Sequence, residues 1–130
     1  MSAFQLEELD HIAITVADLT RSVAWYRDVL GLEPRHQDVW GNVPTFMCAG
    51  STGLALFPAE TAKPAPKPDT ARTLVMRHFA FRANRKNFEA AQQRLRELGA
   101  DFKFQDHEIA HSIYFHDPDG HRVEITTYDL

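Results

Sequence analysis

The chain has 130 residues, of which 44% are apolar and 25% charged. That is the balance of a globular protein with a single core, and it excludes both a disordered chain and a membrane-spanning one. Fourteen basic residues against 18 acidic ones give a net charge of −4, and Lys and Arg are scattered, so no basic field awaits a nucleic-acid backbone. The one cysteine, Cys48, excludes an intrachain disulfide and any paired-cysteine zinc motif. No stretch reads as a secretion signal or approaches the roughly 20 apolar residues of a membrane span, so a cytoplasmic location is expected.

In chain order, the first strand falls at residues 9–14, LDHIAI, and a helix follows with Asp18 as N-cap. Val23, Tyr26, Val29 and Leu30 share one face of it, and Gly31 stops it. Short strands are expected at 33–39, 44–49 and 53–57. Residues 58–71 hold four of the seven prolines without apolar periodicity, which marks a linker. The plan then repeats. MRHFAF at 76–81 answers LDHIAI, with His11 and His78 lying 67 positions apart. A second helix buries Phe88, Ala91, Leu95 and Leu98, turns Arg94, Arg96 and Glu97 to water, and ends at Gly99. Strands follow at 101–105, 112–116 and 122–128, and Asp117-Pro118-Asp119-Gly120 has the chemistry of a type I turn joining the last two. The fold class is therefore α+β: two tandem β-α-β-β-β modules, 1–57 and 72–130, joined by the linker into one compact domain around a concave mixed sheet.

Repeated modules place equivalent residues at equivalent positions about a pseudo-two-fold axis, so His11 and His78 are expected to face each other. Side chains alternate along the last strand, which puts Arg122, Glu124 and Thr126 on one face and Val123 and Ile125 on the other. Two imidazoles and a carboxylate form a facial set for a divalent ion that leaves positions open for substrate. Taken singly, each reads better as a core, edge or surface residue than as a ligand; their repeat-related placement reverses that preference and favours the metal.

The segments LDHIAITVADLTRSVAWYRDVLGLEP at 9–34, RHFAF at 77–81 and SIYFHDPDGHRVEI at 112–125 resemble the vicinal oxygen chelate superfamily. That group includes glyoxalase I, extradiol dioxygenases, fosfomycin-resistance thiol transferases and the metal-free bleomycin-resistance proteins. The resemblance implies His11, His78 and Glu124 as metal ligands. A fourth ligand position, found by carrying the 67-residue offset back from Glu124, falls on Phe57, which speaks against the glyoxalase I reaction. Ala13 stands where fosfomycin-resistance proteins usually have threonine, and no cation cluster is evident to hold a phosphonate. His107, Ile113-Tyr114, Asp117-Pro118, Gly120 and Glu124 resemble the extradiol signature, although the second-shell histidine base of those enzymes has no evident counterpart.

What the resemblance implies is a metal-dependent enzyme acting on a small molecule with two adjacent oxygens, with an extradiol-type ring-cleaving dioxygenase placed first. The ion would be Fe(II) by preference, or Mn(II), Zn(II) or Ni(II). Tyr114 and His107 would be catalytic, Tyr114 holding a metal-bound phenolate and His107 or His111 moving protons. Tyr114 also reads as core, and His107, His111, His116 and His121 as surface. Trp40, Phe46, Met47 and Phe104 are candidates for an apolar pocket beside the metal or for core. The alternatives are a glyoxalase-like lyase or isomerase, a fosfomycin-type thiol transferase, and a metal-free drug-sequestering protein. The resemblance also implies a homodimer, with the metal site within one chain or completed across the interface; the charge and the hydropathy predict neither nucleic acid nor membrane as partner.

Overall fold

A strand with apolar side chains at alternate positions needs a second layer to cover them, and in each half of this chain one long helix supplies it. The computed structural model describes residues 3–130. Met1 and Ser2, at the start of the stretch read as lacking a targeting signal, lie outside the described residues. The chain forms two compact units that divide between Lys63 and Pro64. No helix among the described residues is long and apolar enough to cross a membrane.

The first unit contains β1 (His11–Val16), α1 (Leu19–Leu30), β2 (Glu33–Arg35), α2 (Gln37–Trp40), β3 (Thr45–Ala49) and β4 (Thr52–Pro58). Its sheet runs β1-β4-β3-β2, with β1 parallel to β4 and the other pairs antiparallel. The second contains β5 (Phe79–Arg82), α3 (Arg85–Glu97), β6 (Lys103–Asp106), β7 (His111–His116) and β8 (Arg122–Thr127). Its sheet, β5-β8-β7-β6, has the same order and the same single parallel pair. The expected pair of β-α-β-β-β modules is therefore present.

Local chemistry accounts for the helix limits. Asp18, extended at φ −136°, accepts a hydrogen bond from the Arg21 N–H at 3.1 Å, a cap worth about 1 kcal/mol. Gly31 adopts the left-handed conformation and donates its N–H to the Arg27 carbonyl, ending α1 where the sequence predicts. Asn84 caps α3 through the Asn87 N–H at 2.9 Å. Tyr26 on α1 and Phe88 and Leu95 on α3 are buried, as are Met47, Leu54 and Leu56 in the sheet of the first unit and Ile113, Phe115 and Val123 in that of the second.

Two expectations fail for identifiable reasons. The strand expected over 33–39 stops at Arg35, because His36 turns left-handed at φ 61° and starts the short α2. Leu98, expected in the buried stripe, is exposed at the C-cap where α3 stops. Gln92 occupies the buried face instead, with its amide 3.5 Å from Glu89.

Gly53 faces Cys48 across the β3–β4 pair, and a Cβ there would lie 2.5 Å from the Met47 carbonyl oxygen and 2.9 Å from the Cys48 Cα. Both obstacles are backbone, so they cannot swing aside. Gly53→Ala is expected to cost about 1–3 kcal/mol, read as a lower urea midpoint; a midpoint equal to that of the wild type would contradict this packing. Cys48 itself is buried, and burial pushes its thiol pKa up.

Candidate functional site

In the second unit, Val123 and Ile125 of β8 join the core, so alternation turns Arg122, Glu124 and Thr126 to the opposite face of the sheet. The hairpin turn sets which β7 residues lie beside them. Asp117 Oδ1 accepts from the N–H groups of Asp119 and His121 at 2.9 and 2.8 Å, and the Gly120 N–H reaches the Asp117 carbonyl at 3.1 Å. With the turn fixed, Tyr114 pairs with Glu124, Ser112 with Thr126 and His116 with Arg122. A one-residue slip of β8 would send Arg122, Glu124 and Thr126 to the wrong face.

Glu124 is 9% exposed, and a carboxylate taken this far from water needs partners for both oxygens. Oε1 lies 2.8 Å from His78 Nε2, and Oε2 accepts from the Ser112 hydroxyl at 2.6 Å. Ser112 Oγ is also 2.9 Å from Thr126 Oγ1. His78, expected inside a strand, sits one residue before β5. Its Nδ1 is buried with no hydrogen-bond partner.

Tyr114 stands beside this pair, its ring edge-on to His78 at 5.6 Å between centroids. Its hydroxyl is 2.9 Å from His107 Nε2, and the Arg122 guanidinium lies 4.3 Å from its ring centroid. Burial, followed by the charge of Glu124 and hydrogen bonding to it, pushes the Tyr114 pKa above its ordinary 10.0, with Arg122 opposing. The phenol therefore keeps its proton and has it to donate. His111 has a different assignment: its Nδ1 takes a hydrogen bond from Arg85 at 2.9 Å and its Nε2 lies 3.6 Å from Asp106.

In the first unit His11 opens β1, with Nδ1 2.7 Å from Asp10 Oδ2 and its ring 5.0 Å from that of Phe46. Trp40 stacks on Phe46 at 5.2 Å, 29° between planes, so these two of the four pocket candidates neighbour His11. Met47 is core, and Phe104 packs with Phe88 and His111.

The strand registers correct one position. In β5, Ala80 pairs with Glu124; at the equivalent place in β1, Ala13 pairs with Ala55. The counterpart of Glu124 is thus Ala55 rather than Phe57, because the final strands are offset by two residues more than the histidines. Ala55 is as unable to ligate a metal as Phe57. By the same register Phe46, opposite Ala55, is the counterpart of Tyr114, opposite Glu124. The second unit alone carries the carboxylate and the phenol.

The structure thus brings His78 together with Glu124, and Tyr114 with His107. Among the described residues no group of three His, Cys, Asp or Glu side chains is assembled to hold a metal. The pair does fit one. Two donors each about 2.0–2.2 Å from one ion, at near right angles, stand about 3 Å apart, close to the 2.8 Å seen. The unpartnered Nδ1 shows that this ring is not fixed by hydrogen bonds on both sides. The sequence reading missed Ser112, although its position two residues before Tyr114 places it on the same strand face.

Comparison with known proteins gives the family. Residues 8–125 match the model of the glyoxalase/bleomycin resistance protein/dioxygenase superfamily, and the chain belongs to that family. It is 31% identical over 120 residues to a glutathione transferase FosA of Serratia marcescens, covering 92% of this chain and 80% of that one. To a metallothiol transferase FosB of Staphylococcus epidermidis it is 30% identical, covering 97% and 85%. A glyoxalase/dioxygenase from Nostoc punctiforme shares the fold with a TM-score of 0.80 at 24% identity, covering 98% and 94%. These sequence relatives support the thiol-transferase alternative. They give no support to ring cleavage, the reading placed first from the sequence, or to Fe(II) as the particular ion.

Proposed function

We propose that this chain is a divalent-metal enzyme that adds a thiol to a small substrate bearing adjacent oxygens: a C–S bond forms, a C–O bond to one of those oxygens breaks, and the proton that the thiol gives up ends on the freed oxygen. The observation that carries the reading is the part-buried His78–Glu124 pair, with Ser112 holding the second carboxylate oxygen. The metal would be held by His78, Glu124 and His11, with His11 supplied by the same chain or by a second copy in a homodimer. When bound, the ion supplies Lewis-acid polarisation of the substrate oxygens.

The remaining work belongs to this chain's own groups. Ser112 orients Glu124. Tyr114 holds a proton at Oη and donates it toward an oxygen that gains negative charge, and His107 Nε2, 2.9 Å away, exchanges that proton with solvent. Trp40 and Phe46 offer an aromatic surface beside His11.

The test is a panel of glutathione and cysteine with fosfomycin, in the presence of Mn(II), Zn(II) or Fe(II), alongside catechols under O2. Metal-dependent loss of free thiol, abolished in His78→Ala, is the expected result. O2 uptake with catechol and no thiol consumption would overturn thiol transfer in favour of ring cleavage. Mixing inactive His11→Ala with inactive Glu124→Gln is expected to restore part of the activity if two copies share each site.

A further inference from the structure

We infer that the second unit carries a binding site for the zwitterionic end of an amino acid, with the carboxylate on Arg82 and the ammonium on Asp129. A cavity of about 430 Å³ opens where the parallel strands β5 and β8 end and α3 begins, lined by Arg82, Ala83, Asn84, Tyr128 and Asp129. Strand pairing assembles it. Arg82 is the last residue of β5, Tyr128 follows the last residue of β8, and the Arg82 guanidinium lies 4.9 Å from the Tyr128 ring centroid. The Ala83 N–H is taken by the Thr126 carbonyl, and the Asn84 side-chain oxygen by the Asn87 N–H. The charged groups left to meet a ligand are Arg82 and Asp129.

Two opposite charges line one cavity without pairing. Arg27, Arg72 and Arg85 each have a carboxylate partner; among the described residues Arg82 has none, although Asp129 shares its cavity. Asp129 is held from the other side. Its Oδ2 accepts from the Arg85 N–H at 3.0 Å, and the Arg85 Nε–H reaches the Asp129 carbonyl at 2.9 Å, while the Arg85 charge pairs with Glu89 at 2.8 Å. Among the described residues Asp129 Oδ1 has no partner. Stacking on Tyr128 fixes the plane of the Arg82 guanidinium and leaves its N–H edge for the paired hydrogen bonds that suit a carboxylate. A lone arginine would suit any anion and a lone aspartate any amine; the two held apart in one cavity suit a ligand that carries both charges.

Phe79 is buried in the core, so alternation along β5 turns Ala80 and Arg82 to the face of Glu124, and Ala80 pairs with Glu124 itself. Arg82 stands two residues further on, about 7 Å, the span of two extended residues. Assigning the amino acid to the thiol co-substrate rests on the proposed thiol transfer: a short peptide thiol with its sulfur beside Glu124 covers that distance. The probes are L-alanine, ethylamine and propionate, titrated into the metal-free protein at constant ionic strength while the NMR signals of Arg82, Tyr128 and Asp129 are followed. L-Alanine is expected to give saturable shifts and to bind about 10-fold more tightly than either probe with one charge. Arg82→Gln should leave L-alanine no tighter than ethylamine, and Asp129→Asn should leave it no tighter than propionate, with unchanged thermal midpoints. Glu124→Gln should bind L-alanine as the wild type does, which separates this site from the metal site. Shifts that never saturate, or L-alanine affinity that survives both substitutions, would overturn the site. In turnover, Arg82→Gln should raise KM for glutathione about 10-fold and not that for cysteamine, which has no carboxylate. A wild-type KM for glutathione in Arg82→Gln would overturn the assignment to the thiol; no thiol consumption at all would strike the thiol-transfer reading and leave L-alanine binding to decide the site.

Discussion

Glu124→Gln is expected to weaken divalent-metal binding by at least about 100-fold and to remove turnover with it. Substitutions that only support a ligand typically cost about 10–100-fold in metal affinity, and loss of the ligand's own charge should exceed that. The substitution keeps the side chain's size and leaves an oxygen for the Ser112 hydroxyl, now 2.6 Å from Oε2, so the fold should survive. A second readout is independent of metal. The charge of Glu124 is the second largest influence holding the Tyr114 pKa up, so Glu124→Gln should move the phenol's titration toward its ordinary value. Wild-type metal affinity in a folded Glu124→Gln protein would contradict the assignment of this carboxylate.

Tyr114→Phe is expected to lower kcat by about 100-fold or more with metal content unchanged, since a positioned proton donor commonly contributes on the order of 100- to 10,000-fold. Burial first, then Glu124, disfavours the phenolate. In the metal-free protein the phenol therefore titrates above the ordinary tyrosine range, and loss of its proton should give activity a basic limb. That basic limb should disappear from the residual activity of Tyr114→Phe. If the variant turned over like wild type, or the limb remained, Tyr114 would be a packing residue. His107→Gln should cost less, about 10-fold, because solvent can exchange the same proton.

Much of this architecture is legible in the residues themselves. Asp18 and Gly31 announce the limits of α1, and Asp117 to Gly120 fix the hairpin that sets Glu124 beside Tyr114. Local chemistry of that kind acts within a few positions and leaves a pattern in sequence. The errors arise where the decisive partner is distant. Only pairing across β1 and β4 reveals Ala55, not Phe57, as the counterpart of Glu124. The left-handed turn at His36 overrides the strand propensity of Val39 and Trp40. Ser112 is seen to support Glu124 only with β7 and β8 in register. The histidines and the glutamate were identified by repeat and resemblance; their chemistry depends on those pairings.

The proposed metal site needs His11, from the same chain or a second copy, to act with His78 and Glu124 on one ion. Its most direct test is the metal content of anaerobically purified protein, wild type beside His11→Ala, His78→Ala and Glu124→Gln, each reconstituted with Mn(II), Zn(II) or Fe(II). The account predicts about one ion per chain in the wild type and its loss in all three variants. Full occupancy in His11→Ala, or none in reconstituted wild type, would contradict it.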